Sequence, residues 1–353
     1  MIMKRFAIVN AKRNRGAFTL IELIISMVIL TLLILLATQV VNTTATITRP
    51  ANKRIDTDTQ ARGVLDRMAL DFGRMLKRTD VDYYIKQPIK YNGHGNGHGY
   101  GKKLQTGQQG SDQIAFFGQV PGYYPAGAQS PLSLIGYRIN ENSNSASYLK
   151  LERMGKGLLW NGVNTNLNQP PNSSQFTSPI VFLPLLITDR WPNATSGTTA
   201  NADYEVLGDQ VFRFEYYYLL KNGRVTDVPW DKDARLTQQT LATPTSIGLV
   251  DVQAIAVAIA VIDPASRSLL YDPSTPGDPW HRLFSIGEDM DDFKTAPGRG
   301  VGGAKKIGDL EVQWNTAVQS AASSSRTSDG SSFPPAAASG IRIYNRYFDL
   351  RTF

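Results

Sequence analysis

Histidines are the scarcest of the residues that could do chemistry here. The 353-residue chain holds three, His94, His98 and His281, and no cysteine. Without thiols there is no disulfide framework, no thiolate metal site and no Cys nucleophile. His94 and His98 stand four apart, a spacing that on a helix could hold a metal. They sit in NGHGNGHGYG (92–101), however, where five glycines in ten residues favour a solvated loop. A Ser-His-Asp triad would have to recruit His281, and no nucleophile-elbow or phosphate-loop motif accompanies it. The acidic run from Glu288, EDMDD, includes Asp289, Asp291 and Asp292, oxygen donors of the kind calcium takes. It lacks EF-hand spacing, so a solvated acidic loop is expected. Trp160, Trp191, Trp230, Trp280 and Trp314 are scattered, as core-capping residues are, rather than grouped as a sugar platform. No catalytic residue, metal ligand or cofactor is expected, and the chain reads as a protein that is not an enzyme.

One carboxylate stands apart from these. From Phe18 to Val41 the chain reads FTLIELIISMVILTLLILLATQVV, 24 residues with Glu22 as the one charged group. As a helix this run spans about 36 Å, enough to cross a hydrocarbon core of about 30 Å. A carboxylate in a lone membrane helix costs roughly 2.5 to 3.5 kcal/mol at mid-bilayer, so Glu22 calls for a positive partner. Immediately before the run stand two small residues, Gly16 and Ala17. A positive partner could be an α-amine, with a reference pKa near 8, in an apolar bundle.

The elements that position these residues follow from charge and periodicity. Residues 1–17 carry Lys4, Arg5, Lys12, Arg13 and Arg15 and no acid, which leaves +2 of the net +7 for the rest of the chain. So nearly neutral a body has no broad phosphate-binding face, and no nucleic acid partner is expected. The basic leader belongs on the cytoplasmic side, with everything after Val41 outside the inner membrane. A cleaved secretory signal, with Thr43 and Ala45 as the cut site, is a poorer fit because its apolar region would be shorter. Pro50 should bend the helix rather than end it. Beyond it Val64, Leu65, Met68, Phe72, Met75 and Leu76 form one apolar stripe, so 52–77 is expected to be an amphipathic helix on which a head is built. Asp58, Arg62, Asp66, Arg67, Asp71 and Arg74 are expected largely off that stripe.

Past about residue 79 the period changes to that of strands, predicted at 113–120, 134–139, 148–153, 210–220, 250–262 and 341–353. In 250–262 Ile255, Val257, Ile259 and Val261 alternate with Ala254, Ala256, Ala258 and Ala260; the bulky face should be buried and the Ala face should admit another layer. NENSNSAS at 140–147 reads as a hairpin loop, and Asn222-Gly223 as a tight turn. The last strand should return to a sheet edge. The Gly, Ser, Ala and Pro-rich region 295–340 is expected to be a mobile excursion with a short helix near 309–321.

The residues GAFTLIELIISMVIL from Gly16 resemble the N-terminal processing motif of type IV pilins and type II secretion pseudopilins. The resemblance implies cleavage by a prepilin peptidase, N-methylation of the new terminus at Phe18, and Glu22, fifth in the mature chain, pairing with the Phe18 amine of a neighbouring subunit during filament assembly. The family's usual Gly before the cut is Ala17 here, with Gly16 one place earlier. A cut after Gly16 would make Glu22 sixth, so the Ala17/Phe18 bond is the better match. The order of elements resembles the pseudopilin J type of minor pseudopilin. It is more sharply similar to the J-like prepilins of the Verru_Chthon cassette protein C family, through DRMALDFGRMLKRTDVDYY from Asp66, DQIAFF from Asp112, LERMGKGLLWNG from Leu151, YEVLGDQVFRFEYYYLLKNG from Tyr204, DVQAIAVAIAVIDPASR from Asp251 and the closing RIYNRYF.

The expected fold is α+β, a long N-terminal helix followed by a mostly antiparallel two-sheet β head. The expected organisation is a leader at 1–17, a helix at 18–78 (18–41 transmembrane) and a periplasmic head at 79–353 with flexible inserts at 92–110 and 295–340. The implied role is a minor pseudopilin-like subunit at or near the tip of a type II secretion or type IV pilus-like filament, acting in assembly initiation and protein secretion. Its partners would be the prepilin peptidase, other minor and major pseudopilins, and the inner membrane. A pilus-displayed adhesin, or a signal-anchored envelope enzyme, would share the same N-terminus.

Overall fold

The computed structural model describes residues 19–76, 84–86, 111–120, 133–157, 203–226, 252–293 and 306–350. The chain divides into two compact units, Met1–Asn52 and Lys53–Phe353. Helix α1 (Leu20–Gly73) runs without a break through Pro50. Its first part is aliphatic on every side, while residues 53–73 alternate charged and apolar at helical spacing. The end of α1 supplies part of the second unit's core.

The β strands form two antiparallel sheets. The first is a meander of β1 (Tyr84–Lys86), β2 (Gln113–Gly118), β3 (Ser133–Ile139), β4 (Leu151–Gly157) and β5 (Tyr204–Gly208), in that order. The second contains β6 (Val211–Leu220), β7 (Val225–Thr226), β8 (Val252–Ile262) and β9 (Ile341–Asp349), ordered β7-β6-β8-β9. The last strand lies at a sheet edge, as its sequence suggested. Asn222-Gly223 makes the β6–β7 turn: Gly223 takes φ +80°, which a side chain would resist, and Leu220 N–H donates to the Arg224 carbonyl at 2.8 Å.

The apolar stripe of α1 packs on both sheets. Val64, Leu65, Met68, Phe72 and Met75 are buried. The Phe72 ring lies 5.2 Å from Phe116 of β2, 6.2 Å from Tyr137 of β3 and 5.2 Å from Phe348 of β9. The helix end is joined to β2 through the backbone, with Leu76 N–H donating to the Phe117 carbonyl at 2.8 Å and Gln119 N–H to the Arg74 carbonyl at 2.9 Å.

Strand alternation decides what covers the second sheet. On β9, Tyr344, Arg346 and Phe348 face α1: Tyr344 donates to Thr57 Oγ1 at 3.1 Å and to Asp58, and Arg346 meets Asp66 at 2.5 Å. Asn345 and Tyr347 face the other way, to Glu311 and to the Tyr217 hydroxyl at 3.0 Å. Across the β6–β8 ladder Val257 stands opposite Tyr216 and Ile259 opposite Phe214, while Ala258 stands opposite Glu215 and Ala256 opposite Tyr217. The small Ala face thus lies beside β6's large polar and aromatic side chains and leaves room for a helical layer over them.

That layer corrects one expectation. Helices α2 (Pro264–Ser268), α3 (His281–Asp289), α4 (Asp309–Ser324) and α5 (Pro335–Ala338) follow β8 in the described residues. Within 295–340, expected to be a mobile excursion, residues 306–340 are packed: Leu310, Trp314, Val318, Ala321, Phe333 and Ala337 are all buried. Small side chains here permit close approach, and spacings of four, four and three put the large ones on one face of α4. Residues 295–305 and the insert at 92–110 lie outside the described residues. A second difference is the strand predicted at 148–153, which instead begins at Leu151. Leu149 takes φ +53° in the preceding loop, where Asn140 and the Arg267 guanidinium hold the backbone groups of residues 148–150.

Candidate functional site

The N-terminal helix begins with a reciprocal cap. Thr19 N–H donates to Glu22 Oε2 at 2.9 Å, its hydroxyl donates to the same oxygen at 3.1 Å, and Glu22 N–H returns a bond to Thr19 Oγ1 at 3.4 Å. This is the T-x-x-E capping box, in which a carboxylate at the third helical position satisfies orphan amides and opposes the helix dipole. Glu22 therefore has a local reason to be where it is, as well as any partner in another chain. The spacing Thr19 to Glu22 was legible in the sequence, but attention to the carboxylate's charge passed over it. Gly16, Ala17 and Phe18 lie outside the described residues.

Past the cap the helix is built for an apolar surround. Leu20–Thr44, 25 residues, is long and apolar enough to cross a membrane, at about 38 Å of helix. Its hydroxyls turn inward: Ser26, Thr31, Thr38 and Thr44 each donate to the carbonyl four residues back, at 2.6 to 2.8 Å. A hydroxyl so bonded needs no water. Among the described residues the aliphatic side chains of this run are exposed, from Leu20 at 78% to Ile24 at 49%. An apolar surface this large is stable only against lipid or other helices.

The remaining candidates do not converge. His94 and His98 lie outside the described residues. His281, at the start of α3, has its Nε2 3.1 Å from Asp329 and its Nδ1 3.6 Å from Asp278. Ser285, one turn on, bonds Asp329 instead, so a Ser-His-Asp relay is not assembled among the described residues. Asp289 and Asp292 of the EDMDD run meet different partners. Asp289 accepts from Ser328 N–H at 3.0 Å, and the Asp291 carbonyl accepts from Trp314 Nε1 at 2.8 Å. Asp292, expected in a solvated loop, is buried and bonded to Arg213 at 2.5 Å. Among the described residues no group of three or more His, Cys, Asp or Glu is placed to hold a metal. Trp314 is a core residue and Trp280 is half-buried against the core, while Trp160, Trp191 and Trp230 lie outside the described residues.

The α1 acids hold the head to the helix. Asp71, expected off the buried stripe, is fully buried: Arg153 Nε and Nη2 reach its two oxygens at 2.7 and 3.1 Å, and the Tyr137 hydroxyl donates to it as well. Burial, and next the Asp71 charge, push the Tyr137 phenol well above its usual range, which keeps it a donor. A forked guanidinium on a buried carboxylate is geometrically selective, so it sets how β3 and β4 meet the helix.

The likeness to known proteins lies where the cap is. Residues 12–38 match the prokaryotic N-terminal methylation motif. The methylation motif takes in Gly16, Ala17, Phe18, the Thr19–Glu22 box and much of the apolar run. No curated protein matches the chain. Among solved structures, a chain of the GspK-GspI-GspJ complex from the enterotoxigenic Escherichia coli type 2 secretion system aligns at 11% identity and a TM-score of 0.23, covering 59% of this chain and 90% of that one. A likeness at that score carries no argument.

Proposed function

We propose that this chain is a minor pseudopilin-like structural subunit, held in the inner membrane by α1 with its head in the periplasm, and drawn after processing into a type II secretion or type IV pilus-like filament. The observation that carries the reading is the methylation motif at residues 12–38 laid over a capped, uncovered apolar helix that runs on to a two-sheet head. In this reading a prepilin peptidase cuts after Ala17, Phe18 becomes the methylated terminus, and Glu22 faces the amine of a neighbouring Phe18. A buried pair of that kind sets register more than it adds stability. The contacts would be with other minor and major pseudopilins. The bulk of the 53–353 unit suits a position at or near the tip, starting assembly for protein secretion, better than a repeating place in the shaft. The likeness to the Verru_Chthon cassette protein C family belongs to the same reading, and no catalytic role is part of it.

The test is N-terminal peptide mass spectrometry on the full chain co-expressed with a prepilin peptidase. The expected product begins at N-methyl-Phe18. An uncut Met1 terminus, or a cut near Ala45, would overturn the proposal.

A further inference from the structure

The largest departure from ordinary core chemistry lies in the head, where three carboxyls and one guanidinium are buried together. Arg213 and Glu215 lie on the same face of β6, Asp112 immediately precedes β2, and Asp292 follows α3; the four are 1%, 2%, 1% and 5% exposed. Arg213 donates to Asp292 at 2.5 Å and to the Met290 carbonyl at 3.0 Å, and lies 3.5 Å from Glu215. Its guanidinium sits 5.5 Å from the Trp314 ring of α4. Asp112 Oδ2 accepts from Tyr216 N–H at 3.2 Å, while Asp112 N–H donates to the Phe214 carbonyl at 2.9 Å. Glu215 Oε1 accepts from Phe293 N–H at 3.0 Å. These bonds tie the first sheet, the second sheet and residues 290–293 together at one point.

The charges there do not balance. If all four groups were ionised the site would hold a net −2 away from water, which costs several kcal/mol per uncompensated ion. Arg213 and Asp292 cancel, which leaves Asp112 and Glu215. Among the described residues, the other charged or titratable groups nearby bring no cation. Glu141 of the β3–β4 loop accepts from Ser111 N–H, Glu311 of α4 bonds Asn345, and β8 offers Ala258. Tyr217 and Tyr347, from β6 and β9, pair with each other. Each of the two acids accepts a backbone N–H with one oxygen; the other oxygen of Glu215 accepts from Arg213 Nη2 at 3.5 Å, and the Asp112 and Glu215 side chains lie within hydrogen-bond reach of each other, so a proton is needed between them.

We propose that Asp112 and Glu215 are a proton-holding joint: with both neutral, they clamp the start of β2 and residues 290–293 onto β6, and when their protons leave the clamp opens and the head loosens. Burial pushes both carboxyls well above their usual range, with Asp292 adding to the rise at each. The sign follows from linkage. A carboxyl whose folded value lies above its unfolded one keeps its proton longer in the native state, so its stabilising contribution is whole in acid and is lost as pH climbs from about 4 through the raised value. The joint therefore makes the head weaker in alkali than in mild acid, which is opposite to an ordinary ion-paired acid.

Thermal unfolding of the full chain in detergent, from about pH 5 to about pH 9, tests this in the wild type, Glu215→Gln and Asp112→Asn. The wild-type midpoint should fall across that range, and each variant should fall less and outlast the wild type at the alkaline end. The infrared spectrum of the wild type at neutral pH should show a protonated-carboxyl stretch that shrinks in each variant that folds. A wild-type midpoint that is flat or rises with pH would overturn the joint, as would the absence of a protonated-carboxyl band. So would an unaltered pH slope in whichever variants fold.

Discussion

At the scale of single residues, Glu22 stands in two roles that can be separated. In the chain by itself it is the far half of the Thr19 capping box; in the proposed filament it is the counter-charge of a neighbour's amine. Glu22→Gln keeps the box, since Gln serves the same position, but removes the charge. Thr19→Ala keeps the charge and loses the cap, at about 1 kcal/mol. Filament yield measured by shearing and sedimentation should collapse in Glu22→Gln and Glu22→Ala alike, yet fall only mildly in Thr19→Ala. A normal yield in Glu22→Gln would mean that the carboxylate serves the helix start and nothing else. The residue types at this site were open to reading from sequence because box and apolar run are both local. Asp71 was not. Its partners Tyr137 and Arg153 are 66 and 82 residues away, and an aspartate is placed at the surface by default until a buried guanidinium is known to meet it.

At the scale of elements, period served well wherever one face of an element is uniform. The α1 stripe, the alternation of 250–262 and the Asn-Gly turn all appear at their expected places. The strand near 148 began late because a loop hydrogen-bond network around Asn140 outweighs the local preference of Tyr148 and Leu149. For residues 306–340 the expectation of a mobile excursion failed for a different reason. Composition counts Ser, Gly and Ala as evidence of disorder, whereas three large residues and an alanine on one face of α4 are enough to pack it on a sheet. Trp314 decides whether α4 belongs to the head's core. Trp314→Ala removes a fully buried indole that lies over Arg213, and should cost about 3 to 5 kcal/mol. Denaturant unfolding of the full chain in detergent measures it; a loss under about 0.5 kcal/mol, typical of a surface site, would show α4 to be dispensable.

At the scale of the whole molecule, charge and apolar surface are segregated along the chain. The leader carries +5 of the net +7, and the run behind it exposes aliphatic side chains on every side. Under the positive-inside rule this predicts an orientation: a reporter active only outside the cytoplasm, fused after Phe353, should be active. Replacing Lys4, Arg5, Lys12, Arg13 and Arg15 with Ser should lower that activity several-fold by mixing the orientations. Unchanged activity would show that the leader does not set topology. The amino-acid sequence by itself determined the capped apolar helix, its motif and the strand periods, because each depends on neighbours within a few turns or one hairpin, while the two-sheet arrangement was expected only through the resemblance to J-type pseudopilins. Only the tertiary structure decided that Asp71, Asp112, Glu215 and Asp292 are buried, and that α4 covers the Ala face of β8. Those outcomes rest on groups brought together from distant parts of the chain, and the solvation of a charge is a property of its surroundings rather than of its place in the sequence.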